Sequence, residues 1–219
     1  MHILYLHQHF ATREGSAGTR SYEFSRLLLE RGHQVTILCG WQDRSGLPRQ
    51  RERLAEHHID GMRVLALNVA YSQDMSYLRR IWAFVWFMLL ATWVALRQRQ
   101  VDVIFATSTP LTIAVPAMVA ALVNRKPFVF EVRDLWPEIP IKMGALRNPV
   151  FVGLARALEW VAYRRAAHIV ALSPGMKSGI IDNGITPEKI TVIPNASDNA
   201  LFDVPPQAGQ DFRRAHPAL

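Results

Sequence analysis

The chain has 219 residues, 25 Lys and Arg against 18 Asp and Glu for a formal net charge of +7, and half of its residues are hydrophobic. That apolar content excludes a disordered chain, the length suits one large domain with a real core, and a single cysteine, Cys39, excludes an internal disulfide framework. The excess of cations would attract nucleic acid, yet the sequence holds no recognised nucleic-acid module, and no nucleic-acid partner is expected.

The chain opens with a short strand, His2–Leu6, followed by His7 and His9. A loop, Glu14-Gly15-Ser16-Ala17-Gly18-Thr19-Arg20, then leads into an amphipathic helix. Glycines before a helix leave backbone N–H groups uncovered, and the helix start adds partial positive charge. Gly15, Ser16, Gly18 and Arg20 therefore form a candidate phosphate-binding loop. An ordinary glycine turn capped by Thr19 accounts for the same letters. His7 and His9 stand beside this loop, either as ligand contacts or in a plain strand-end role.

The loop lacks the three-glycine dinucleotide fingerprint. The second strand, Gln34–Leu38, ends in Cys39-Gly40-Trp41 without an acid for a ribose hydroxyl, so NAD is not expected. Neither a phosphate loop of the Gly-Lys-Ser/Thr type nor a Gly-x-Ser-x-Gly elbow is present. Residues 42–60, rich in Arg and Glu, read as a solvated excursion before a strand at Met62. His57 and His58 are adjacent, the other histidines sit in or beside strands, and no metal site is expected.

The segment Ile81–Leu96 is apolar all round, with Arg79 and Arg80 before it and Arg97 and Arg99 after it. At ~1.5 Å per residue its 16 positions make roughly 24 Å of helix, short of the ~30 Å needed to span a bilayer. Trp82, Trp86 and Trp93 fall on one face, and the arginines suit anionic headgroups, as in a helix lying in a membrane interface. The competing reading is a helix that covers a sheet and packs against a neighbour.

Apolar strands continue at Val101–Phe105, Pro127–Val132, His168–Leu172 and Lys189–Asn195. Strands alternating with helices predict an α/β fold, a Rossmann-like parallel sheet with helices on both faces. The strand at Pro127–Val132 runs straight into Glu131-Val132-Arg133-Asp134-Leu135-Trp136-Pro137-Glu138. Charges that follow a buried strand lie at the carboxyl edge of the sheet, where open α/β folds keep their ligands. Arg133, Asp134 and Glu138 are the candidate catalytic residues, with simple pairing at a strand end as the alternative for Arg133 and Asp134. An arginine cannot act as a base at neutral pH, so Arg133 is expected to stabilise charge or hold phosphate.

Four segments together resemble a retaining glycosyltransferase of the family 4 type. They are the Gly15–Arg20 loop, the Glu131–Glu138 block with its continuation Lys142–Pro149, then Leu172–Lys177, then Val192–Asn195. The likeness is greatest to the bacterial branch that builds O-antigen and capsule on a polyprenyl-diphosphate lipid. The resemblance implies the N-terminal, acceptor-side half of a two-domain GT-B fold, with residues 1–200 as that domain. Residues 201–219 would then be a linker and the start of a C-terminal donor-binding domain that this sequence does not contain. It implies a nucleotide-sugar donor, a lipid-linked glycan acceptor and no metal or other cofactor. Retaining chemistry of this kind is thought to need no protein nucleophile, the donor's own phosphate taking the acceptor proton. Many relatives carry a histidine where this chain has Arg133. With no signal segment read at the N-terminus, the expected location is cytoplasmic, peripheral on the inner face of the membrane. A non-catalytic or split-subunit membrane-surface module that needs a separate donor-binding chain is the alternative.

Overall fold

The computed structural model describes residues 1–69, 75–144, 146–196 and 203–216, without the side chains of Tyr77, Leu78, Arg80 and Pro206. Its strands are β1 (His2–Leu6), β2 (Gln34–Gly40), β3 (Leu54–Ile59), β4 (Met62–Leu67), β5 (Val103–Thr107), β6 (Phe128–Val132), β7 (His168–Ala171) and β8 (Ile190–Val192). They form one eight-stranded sheet in the order β3-β4-β2-β1-β5-β6-β7-β8. All neighbours are parallel except the edge pair β3 and β4. The expected α/β sheet is the observed one.

Seven helices connect these strands or follow them among the described residues: α1 (Arg20–Glu30), α2 (Tyr77–Arg97), α3 (Ala114–Asn124), α4 (Glu138–Lys142), α5 (Pro149–Arg165), α6 (Pro174–Asp182) and α7 (Pro206–Ala215). Strand side chains alternate between two cores. Leu4, Leu6, Leu38, Ile104 and Phe130 pack with Phe87 and Ala91 of α2 and Ala117 of α3. Tyr5, Ile37, Cys39 and Val64 pack on the other face with Tyr22 of α1. Burying a residue such as Phe87 contributes about 1.5–3 kcal/mol. Cys39 is wholly buried, and burial pushes its thiol up out of the reactive range.

Two expectations are corrected. Residues 42–60 are more than a solvated excursion, because they hold a short 3-10 turn at Asp43–Ser45 and the edge strand β3, antiparallel to β4. His57 and His58 lie on that strand and so point to opposite faces. The long helix is also longer than its apolar stretch, at 21 residues. It covers the sheet with Ala83, Phe87, Ala91, Val94 and Ala95 while Trp82, Trp86, Leu89 and Trp93 stay exposed. The sheet-covering reading therefore holds for one face, and the tryptophan face is left exposed. Among the described residues no helix is long and apolar enough to cross a membrane.

Two of the segments that carried the family likeness are helix starts. Asn148 caps α5 by accepting from the Val150 N–H, and Ser173 caps α6 by accepting from the Met176 N–H, each with proline next in the chain. A capping side chain followed by a proline is the ordinary chemistry of a helix start.

Candidate active site at the carboxyl edge of the sheet

The strand order reverses at β1, whose neighbours β2 and β5 are reached by connections on opposite sides of the sheet. The carboxyl ends of the strands leave a crevice at such a reversal. A pocket of about 350 Å³ opens there. His7 and His9 follow β1, Thr109 follows β5, Arg133 and Asp134 follow β6, Leu172 follows β7, and Asn195 lies beyond β8. Ala17 and Gly18 close the pocket from the loop that precedes α1.

The Gly15–Arg20 loop divides into two parts. A Cβ on Gly15 would lie 2.6 Å from the Arg44 carbonyl oxygen, so this glycine lets the Asp43–Ser45 turn pack against the loop. The Gly15 N–H donates to Thr12 O and the Ser16 N–H to Arg44 O, so these two amides are already used. Gly18 instead lines the pocket, directly before α1, which has no side-chain cap. The uncapped first turn leaves helix N–H groups available to an anion.

Arg20 points away from that role. Its Nε donates to Glu131 Oε1 at 3.0 Å, Nη1 to Pro194 O at 2.8 Å and Asn195 Oδ1 at 3.3 Å, and Nη2 to Ile193 O at 2.7 Å. Glu131 is fully buried, and its other oxygen accepts from Thr107 Oγ1 at 2.5 Å. A buried carboxylate is tolerable only when paired and hydrogen-bonded in this way. Arg20 thus joins the start of α1 to β6 and to the chain leaving β8.

Arg133 faces the pocket. Its Nη1 lies 3.4 Å from His7 Nε2, a long contact, while His7 Nδ1 lies 2.6 Å from Ser21 Oγ. Arginine can only donate, so Nε2 accepts and the His7 proton sits on Nδ1, directed at Ser21. Burial, reinforced by the Arg133 charge, holds the His7 pKa well below its ordinary value and keeps the ring neutral. His9 is lowered as well, by burial first, with Gln42 Nε2 at 2.7 Å from its Nδ1. Asp134 Oδ2 accepts from Thr109 Oγ1 at 2.7 Å. The pocket thus gathers one guanidinium, one carboxylate, two neutral imidazoles and a helix start. That set can hold a phosphate and orient a hydroxyl.

Glu138 is not part of this group. It opens α4, pairs with Arg156 at 3.2 Å and lies partly in solvent. Arg79 is exposed before the tryptophan face of α2, Arg97 stacks over Trp93 with 3.4 Å from guanidinium carbon to ring centroid, and the Arg80 side chain lies outside the described residues. No cluster of His, Cys, Asp or Glu suited to a metal occurs among the described residues. Thr109 and Leu172 were not singled out by residue type. The signal for Thr109 is its position at the carboxyl end of an apolar strand, and Leu172 also opens one of the segments that carry the family likeness.

No curated protein matches the chain. Several solved structures share its fold. Anabaena HepE in complex with UDP-glucose superposes with a TM-score of 0.60 at 18% identity, over 98% of this chain and 49% of that one. Thermosynechococcus elongatus sucrose-phosphate synthase gives 0.60 at 10% identity, over 98% and 99%. Neisseria meningitidis UDP-GlcNAc 2-epimerase bound to UDP-GlcNAc gives 0.53 at 16%, over 100% and 54%. The chain spans about half the length of the HepE chain. This likeness places the sheet as one Rossmann-like half of a GT-B architecture. The model of the glycosyl transferase 4-like domain matches residues 15–196, the stretch that builds the pocket from the glycine loop to Asn195, and the chain belongs to that family.

Proposed function

We propose that this chain is the acceptor-side half of a retaining glycosyltransferase that moves a sugar from a nucleotide-sugar donor to a polyprenyl-diphosphate-linked glycan. The observation that carries the reading is the pocket itself, where Arg133 and the uncapped start of α1 converge beside Asp134 at the carboxyl edge of the sheet. In the reaction the bond from the anomeric carbon to the donor phosphate breaks, and the acceptor oxygen bonds to the same face of the sugar. The acceptor proton passes to the departing phosphate oxygen. Arg133 and the α1 amides offset the charge that grows on the leaving diphosphate, with no metal required. Neutral His7 holds the guanidinium in place, and Asp134 orients the acceptor hydroxyl.

Bacterial O-antigen or capsule assembly on the cytoplasmic face of the membrane is the setting this reading implies. The +7 charge and the exposed tryptophans of α2 support it. The donor's base and sugar would be held by a second α/β domain or by a separate donor-binding chain. Asp134→Ala tests the site. Supplied with its donor-binding half, the variant should lose transfer to a polyprenyl-diphosphate acceptor while still binding nucleotide sugar, and full transfer would remove Asp134 from the mechanism.

A further inference from the structure

The short helix α4 and the start of α5 follow the pocket loop in the chain, and their exposure is not explained by the pocket. Pro149-Val150-Phe151-Val152-Gly153-Leu154-Ala155 carries no charge, yet Val150 is 66%, Phe151 46% and Leu154 61% exposed. Met143, at the end of α4, is 78% exposed. A helix that is apolar on all sides belongs in a core, and a cluster of exposed large apolar side chains marks a contact surface.

The surrounding charges indicate what the partner is. From residue 138 to residue 158 the chain holds Lys142, Arg147 and Arg156 against one acid, Glu138, which pairs with Arg156. Arg147 is tied to the Gly144 carbonyl at the α4–α5 corner. Apolar tips ringed by cations complement the acyl chains and phosphates of an anionic bilayer. The helix α5 also shares its layer with a second exposed apolar face. The helices α2, α3 and α5 cover the same sheet face and share one core, and α2 turns Trp82 and Trp86 outward from that layer.

We propose that the α4–α5 corner inserts into an anionic lipid surface as a second contact beside the tryptophan face of α2. The inference rests on the membrane-surface reading above and deepens it. Two contacts on one helical layer fix how the protein sits, with the pocket edge held at headgroup level. A lipid-linked diphosphate could then reach Arg133 without leaving the bilayer.

The test uses the longest form of the protein that its reading frame encodes. Cys39 is buried, so a thiol-reactive, environment-sensitive fluorophore can be directed to Phe151→Cys, with Glu188→Cys on the exposed turn before β8 as the control. On mixed phosphatidylglycerol and phosphatidylcholine vesicles the probe at 151 should shift to the blue and lose contact with an aqueous quencher, and the probe at 188 should not. In the unlabelled protein, Phe151→Ser with Leu154→Ser should weaken vesicle partition roughly tenfold. An unshifted probe at 151 on a protein that still sediments with vesicles would overturn the second contact and leave the α2 contact standing. No sedimentation at all would overturn both. A probe already blue-shifted without vesicles would assign the corner to a protein partner, whether another domain or a second copy, and overturn the proposal.

Discussion

Arg20 and Arg133 are both arginines at the carboxyl edge of the same sheet, and the structure uses them in opposite ways. Arg20 is saturated by Glu131, Ile193, Pro194 and Asn195, with its side chain 7% exposed. Arg133 lines the pocket, and its one hydrogen bond from the side chain among the described residues is the long contact to His7. A guanidinium whose donors are spent on the protein builds the site, and one whose donors are open can act on a ligand. The two should therefore separate cleanly when mutated.

The largest effect is expected at the saturated arginine. Arg20→Ala strands the fully buried Glu131 and should cost about 3–5 kcal/mol in urea unfolding. Arg20→Ala with Glu131→Gln should recover much of that loss. Arg133→Ala should leave the urea midpoint nearly unchanged while slowing sugar transfer about 10²–10³-fold, the usual consequence of removing one charge-stabilising donor. If Arg133→Ala unfolded the protein and Arg20→Ala did not, the contrast would be reversed.

A smaller effect is expected where the glycine loop meets the Asp43–Ser45 turn. Gly15→Ala forces a Cβ against backbone at 2.6 Å and should cost ~1–3 kcal/mol, whereas Gly18→Ala, with 3.8 Å to Arg133 Nη2, should change stability little. The mildest effect concerns Glu159 on α5, a buried carboxyl whose pKa burial pushes up to about 7. Because the folded state holds this proton more tightly than the unfolded chain, its contribution is present in full below the ordinary value of 4.5 and is lost as pH rises through 7. Glu159→Gln should flatten that part of a stability–pH profile. His7 works in the other direction: its pKa is lowered, so stability is present above the ordinary value of 6.5 and lost on acidification below it.

The sheet and the place of the pocket were legible because apolar runs that stop at charges carry their own signal. The strand before Glu131-Val132-Arg133-Asp134 shows it best. The edge strand β3 was not legible. Its residues alternate between exposed and half-buried at the rim, so Leu54-Ala55-Glu56-His57-His58-Ile59 shows little apolar contrast with the charged residues before it. The work of Arg20 was hidden for another reason. Its partners lie 111 residues away at Glu131 and 173 to 175 residues away at Ile193, Pro194 and Asn195, and local sequence does not encode such pairings. Gly15 misled in the same way, because the backbone that requires it comes from Arg44 and Ser45.

The central claim is that Arg133 acts in sugar transfer and does not hold the fold. The most direct measurement follows labelled sugar from a nucleotide donor to a polyprenyl-diphosphate-linked acceptor, with the donor-binding half supplied, for the wild type, Arg133→Ala and Arg133→Lys. The account predicts transfer by the wild type, a loss of at least about 100-fold in Arg133→Ala at unchanged urea midpoint, and partial recovery in Arg133→Lys. Equal transfer by all three would contradict it.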